Sequence, residues 1–155
     1  MKLIAIRALG LAALPLAVLP LAVLPTAAQA AEVTYIPGPA RAGAAPPFSQ
    51  AVMANDTLYL SGTTDGGASL GGTPADAARR VMDNIKRSVE AGGLTMDDLV
   101  WVQVFAADLA DYAAFNEVYR GYFAGPMPAR AFIGAGSLLG GARFEVMGIA
   151  VRKTK

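Results

Sequence analysis

The chain has 155 residues, of which 54% are hydrophobic and 16% charged, with no cysteine and no histidine. That composition excludes a disulfide framework, a thiolate nucleophile, a Cys/His zinc site and a Ser-His-Asp triad. Thirteen basic residues stand against twelve acidic ones, and without Lys2 and Arg7 the balance is −1, which lacks the basic excess of a nucleic-acid binder.

Residues 1–30 read as a secretory leader. Lys2 and Arg7 make a positive start, residues 8–28 carry no charge, and Ala28-Gln29-Ala30 puts small residues at a signal-peptidase site. A retained membrane anchor is the rival reading, since roughly 20 apolar residues span a bilayer. Pro15, Pro20 and Pro25 argue against it, because each removes a backbone donor from the helix. The expected mature domain is residues 31–155, periplasmic or secreted, with no membrane association once the leader is cut. Its length suits one domain.

In the mature domain, Val33 to Ile36 reads as a short strand, followed by Pro37-Gly38-Pro39 and a small-residue loop over residues 40–47. Ala51 to Ala54 and Thr57 to Ser61 flank Asn55-Asp56, a hairpin turn. The Gly-, Thr- and Asp-rich stretch from Thr63 to Gly72 is a loop. Thr73, Pro74 and Asp76 open a helix as N-cap, first residue and capping-box acid. Ala78, Val81, Met82, Ile85 and Val89 form its apolar face, and Gly92-Gly93 ends it. The other face offers Asp83–Arg87 and Lys86–Glu90 as i,i+4 pairs, a solvated surface rather than an RNA-binding strip. Val100 to Ala106 is a strand. A second helix runs from Tyr112 to Ala124, with Phe115, Val118, Tyr119 and Tyr122 on one stripe and Gly125-Pro126 as the stop. Ala131 to Gly136 and Arg143 to Arg152 are the last strands. The order is α+β, a mixed sheet of about six strands with two helices on one face.

Strands with one wet face alternate apolar with polar residues. Here Trp101, Gln103 and Phe105 back Val100, Val102, Val104 and Ala106, while Glu145, Met147, Ile149 and Val151 back Phe144, Val146, Gly148 and Ala150. Two helices cover one face. Leaving the other wet costs about 25 cal/mol per Å² of apolar area, so further copies of the chain are expected to cover it. The competing expectation is a sheet that curls shut in a monomer.

Without His or Cys, carboxylates, arginines, hydroxyls and main-chain groups carry any chemistry. Arg130 enters a strand beside Phe132 and Ile133, and Glu145 interrupts an otherwise apolar strand. Each needs a partner or a ligand, because an unpaired buried charge is costly. Two readings stand: a structural Arg130–Glu145 pair, or a ligand site in which Arg130 grips a carboxylate and Glu145 handles water or a proton.

The order and spacing of several segments resemble the RidA/YjgF family of enamine/imine deaminases. They are Pro47-Phe48-Ser49-Gln50-Ala51, Leu58-Tyr59-Leu60-Ser61-Gly62, Asn84-Ile85-Lys86, Glu90-Ala91-Gly92, Val104-Phe105, Asp108-Leu109, Phe115-Asn116-Glu117-Val118-Tyr119, Pro128-Ala129-Arg130 and Glu145 to Val151. The resemblance covers residues 45–153 and implies a chorismate-mutase-like fold. It also implies a homotrimer with clefts between subunits, and cofactor-free hydrolysis of 2-imino acids to 2-oxo acids and ammonia. It places the family's carboxylate-binding arginine on Arg130, its water-handling glutamate on Glu145, its serine on Ser61 beside Gly62 and its helix asparagine on Asn116. Gly134 is expected to help position the reacting atoms, with no metal. The chain departs from the family at Phe48, where a tyrosine is usual, at Phe132, where small residues are common, at Thr63, and at Leu138-Leu139. Phe48 and Phe132 are expected either to shape the pocket or to pack in the core. The alternative function is a trimeric protein that binds small carboxylates without turnover.

Overall fold

Asn55 sits at φ 52°, a left-handed conformation that asparagine tolerates better than most side chains. It closes the tight turn between β2 (Ser49–Ala54) and β3 (Thr57–Thr64). That hairpin lies within one six-stranded sheet of a computed structural model, which describes residues 29–39 and 43–153. The leader assignment falls on residues 1–30, of which 1–28 lie outside the described residues. Among the described residues, no helix is long and apolar enough to cross a membrane.

The other strands are β1 (Val33–Pro37), β4 (Leu99–Ala106), β5 (Ala129–Gly134) and β6 (Phe144–Val151). Their spatial order is β1-β2-β3-β6-β4-β5. Among the described residues, β4 and β5 alone run parallel, joined by the crossover helix that a parallel pair requires. The helices are α1 (Pro74–Ala91) and α2 (Tyr112–Arg120). The result is the expected α+β arrangement, a mixed sheet with both helices on one face. β1 and β5 form its two edges, so the sheet does not curl shut.

The sequence signals at α1 hold in detail. Thr73 accepts from the Asp76 amide at 3.2 Å, and Asp76 accepts from the Thr73 amide at 2.9 Å. Ala78, Val81, Met82, Ile85 and Val89 are buried against the sheet. Gly92 lets the helix end press on β3, where a Cβ would come within 2.6 Å of Leu58. Thr73→Ala should cost about 1 kcal/mol, the usual worth of such a cap, measurable by urea titration.

The same geometry sets a pH dependence. Hydrogen bonds from the Thr73 backbone and side chain hold the Asp76 carboxyl below its ordinary range, and the Thr95 backbone does the same for Asp98. A carboxyl depressed in the folded state stabilises it above the unfolded pKa, and that contribution disappears as pH falls through the folded value. Stability should therefore decline below about pH 4, more shallowly in Thr73→Ala.

Several local expectations differ from the structure: β3 runs on to Thr64, and β5 spans Ala129–Gly134 rather than 131–136. Asp83 does not pair with Arg87; Tyr122 Oη donates to Asp83 Oδ1 at 2.6 Å, while Arg87 Nη2 donates to Asn84 Oδ1. The Lys86–Glu90 pair forms, at 3.9 Å. α2 stops at Arg120 rather than Ala124, because Asp97 Oδ1 accepts from the Ala124 and Gly125 amides and holds that segment out of the helix. At the start of β4 an irregularity between Leu99 and Trp101 buries Leu99 and leaves Val100 exposed, reversing the expected alternation there.

Along β4 and β6 the faces divide as read. Val102, Val104, Ala106, Phe144, Val146 and Ala150 are buried under the helices. On the opposite side, successive pairings line up Tyr35, Val52, Tyr59, Ile149 and Trp101 in one row across five strands. Tyr35 is 68% exposed and Tyr59 50%, so among the described residues nothing covers this apolar face.

Candidate functional site

The pairing of β3 with β6 shifts between Leu60 and Thr63. The resulting bulge carries Ser61 and Gly62 to the wall of a groove of about 1060 Å³, which Glu145 and Phe48 also line. Bulges re-aim side chains in this way. Ser61 Oγ donates to the Ser49 carbonyl at 2.7 Å, so its hydroxyl proton is committed and the oxygen is left to accept. Glu145 Oε1 lies so close to Gly62 that a Cβ there would overlap it. The bulge is thus shaped to the carboxylate.

Gly62→Ala should therefore push aside the end of a flexible side chain rather than break the backbone. The expected result is a cooperatively folded protein with an unchanged circular dichroism spectrum, in which any turnover that uses Glu145 falls. The comparison is of thermal melts with turnover.

Phe48 is 58% exposed on the groove wall, so it shapes the groove and does not pack in the core. Phe132 does pack: its ring lies 4.9 Å from Tyr112, 5.4 Å from Phe115 and 6.5 Å from Phe144.

Arg130 occupies a second cluster, on the edge strand β5. It is paired in register with the buried Val102, on the helix-covered side. Its guanidinium lies 4.5 Å from the Tyr119 ring centroid and 5.7, 5.8 and 5.9 Å from those of Phe132, Tyr112 and Phe115. Nη2 donates to Asn116 Oδ1 at 2.7 Å. Cation–π attraction and one hydrogen bond thus hold the fork in place, with donors left for a planar anion. Burial pushes the Tyr119 phenol up to about 12, with Arg130 opposing, and its hydroxyl has no partner. Asn116 and then Arg130 shift the Tyr112 phenol the other way.

Glu145 is paired with Phe105 and Thr64 and faces the open side of the sheet. Arg130 does not line the groove that contains Glu145. Within one chain the two do not meet, so they form no structural ion pair. Ser61, Gly62, Phe48 and Glu145 are brought together; Arg130, Asn116 and Phe132 form the other group. Gly134 ends β5 against Leu109, outside the groove.

Sequence reasoning missed the rings of Tyr112 and Tyr119 under Arg130. Their i,i+7 spacing around Asn116 was the available signal. It also missed Asp65, a buried acid in the glycine-rich loop.

The family model described as Endoribonuclease L-PSP matches residues 39–152. The chain belongs to this family, the RidA/YjgF family. Among curated relatives, it is 37% identical over 109 residues to a 2-iminobutanoate/2-iminopropanoate deaminase of Dermatophagoides farinae, covering 68% of this chain and 85% of the relative. It is 34% identical over 110 residues to the protein of that name from Mus musculus, covering 68% and 82%. Among solved structures, YEO7_yeast superposes with TM-score 0.70 at 33% identity, covering 79% of this chain and 100% of that one. E. coli TdcF with bound serine gives TM-score 0.66 at 30% identity, covering 77% and 94%. The RidA/YjgF fold expected from the sequence is thus the fold present.

Proposed function

We propose that the protein hydrolyses 2-imino acids to 2-oxo acids and ammonia, at sites completed by two copies of the chain. The observation that carries this reading is the division of the machinery. A guanidinium pre-stacked for a carboxylate sits at one sheet edge, and a glutamate lies on a glycine bulge in an open groove. Joining the Arg130 cluster of one copy to the Glu145 groove of another makes a single site. The uncovered apolar face supplies a reason for copies to associate, and a homotrimer is the proposed assembly. The names of the relatives favour the same chemistry.

The reaction asks little of the protein. The imine carbon is electrophilic, and the carboxylate beside it is the handle. Arg130 holds that handle in a two-pronged grip and orients the carbon. Glu145 takes a proton from the attacking water and returns it to nitrogen as the carbinolamine collapses. The C–N bond breaks, ammonia leaves, and the 2-oxo acid remains. No external oxidant or cofactor is needed for the balance.

We further propose that residues 1–30 act as a secretory leader, so that this activity works in the periplasm or outside the cell, where an amino-acid-oxidising enzyme would supply the imine. The test is ammonia release from freshly generated 2-iminopropanoate. A rate that rises with protein concentration above spontaneous hydrolysis supports the proposal. Saturable 2-oxo acid binding with no acceleration would favour the non-catalytic binding protein instead.

A further inference from the structure

The groove around Glu145 is larger than a three- or four-carbon acid requires. At about 1060 Å³ it matches the upper range of sites that enclose drug-sized ligands, roughly 300–1000 Å³. Among the described residues, its lining contains two charged ones, Glu145 and Arg87. Arg87 is thus the cation of that described lining.

Arg87 is not spent elsewhere. Its i−4 neighbour Asp83 is engaged by Tyr122 Oη at 2.6 Å, and Lys86 pairs with Glu90. Among the described residues Arg87 makes no ion pair within 4.0 Å. Its one side-chain hydrogen bond goes to Asn84 Oδ1, leaving most of its five donors unengaged. Asn84 is itself fixed, with Nδ2 donating to the Thr64 carbonyl at 2.8 Å. Beside it, Gln50 Nε2 donates to the Ser88 hydroxyl at 2.8 Å, and that hydroxyl donates to the Asn84 carbonyl at 3.1 Å. Ser88 is buried. These bonds make a tied polar wall, and Arg87, bonded to Asn84, lines the same groove as Glu145.

We infer that Arg87 binds a second anionic group on the substrate, so that the site selects imines of amino acids with a carboxylate side chain. This rests on the deaminase reading above. Arg130 of the neighbouring copy takes the carboxylate beside the imine carbon, and Arg87 takes the distal one. The preference follows from charge: a distal carboxylate gains a charge-assisted bond at the α1 end that an alkyl tail cannot make.

The experiment compares kcat/KM for freshly generated 2-iminoglutarate and 2-iminobutanoate, in wild type and Arg87→Gln. In parallel, 2-oxoglutarate and 2-oxobutanoate are titrated by calorimetry. The wild type should favour the dicarboxylate about tenfold by both measures, and Arg87→Gln should bring both ratios close to one. A wild type without the preference, or a preference that Arg87→Gln leaves intact, overturns the inference. The two readings fail separately. Ammonia release without selectivity sinks the role of Arg87 and leaves the deaminase standing. No ammonia release, with binding selectivity that Arg87→Gln abolishes, does the reverse.

Discussion

Arg130→Ala should lower kcat/KM for 2-iminopropanoate by about 10²–10³-fold, the scale of losing a bidentate, orienting grip. Glu145→Gln should do likewise through water activation. Unfolded and refolded together in equal amounts, the two inactive variants should recover about a quarter of wild-type activity. The proposed shared site takes an intact Arg130 from one copy and an intact Glu145 from its neighbour, and random mixing supplies each with a probability of about one half. The reason for expecting two copies lies in the register, which separates the residues within one chain. Arg130 is paired with Val102 on the helix-covered side, and Glu145 with Phe105 on the open side. A mixture as inactive as its components would show that the two do not act across a subunit boundary. Arg130→Lys distinguishes charge from shape. It keeps the cation but loses the planar fork stacked on Tyr119, and should recover only a small part of the loss.

Asp65→Ala should be the most destabilising of the substitutions considered, by about 2–4 kcal/mol. Asp65 is 2% exposed. Its Oδ1 accepts from the Gly67 amide at 2.9 Å, and Oδ2 accepts from the amides of Arg143 and Phe144 at 2.8 and 3.1 Å. Its own carbonyl accepts from Arg80 Nε at 2.9 Å. Alanine strands three amides at the junction of β3, the following loop and β6, and an unsatisfied buried donor costs more than a bond made there returns. Asp65→Asn keeps the volume but turns one acceptor into a donor facing an N–H, so an intermediate loss is expected. Urea midpoints measure both. The clamp adjoins Glu145 through Phe144, so activity should fall in the surviving folded fraction as well. Full specific activity per folded molecule would show that the clamp is structural alone.

The sheet, the two helices and their caps were legible because each rests on a local rule. Thr73-Pro74 with Asp76 can start a helix with no help from distant chain, and the period-two burial of β6 is written in its alternation. The site was legible only as a set of residue types. Which residues meet depends on the sheet order and on one bulge, and neither is local. Ser61-Gly62 reads as the end of a strand, yet the strand continues to Thr64 through the bulge, and that offset opens the groove. Arg87 misled for the same reason. Helical spacing offers it Asp83, but the Tyr122 hydroxyl arrives from 39 positions away and takes the acid first. The rings around Arg130 were ordinary apolar positions until α2 was laid against β5.

The row from Tyr35 to Trp101 has a practical corollary. The sequence contains one tryptophan, and it stands on the bare side of the sheet, paired with Ile149. The molecule therefore carries its own optical gauge. Indole emission moves to shorter wavelength when water leaves the ring, so the emission maximum of a protein solution during dilution reads whether that surface is wet, with no label attached.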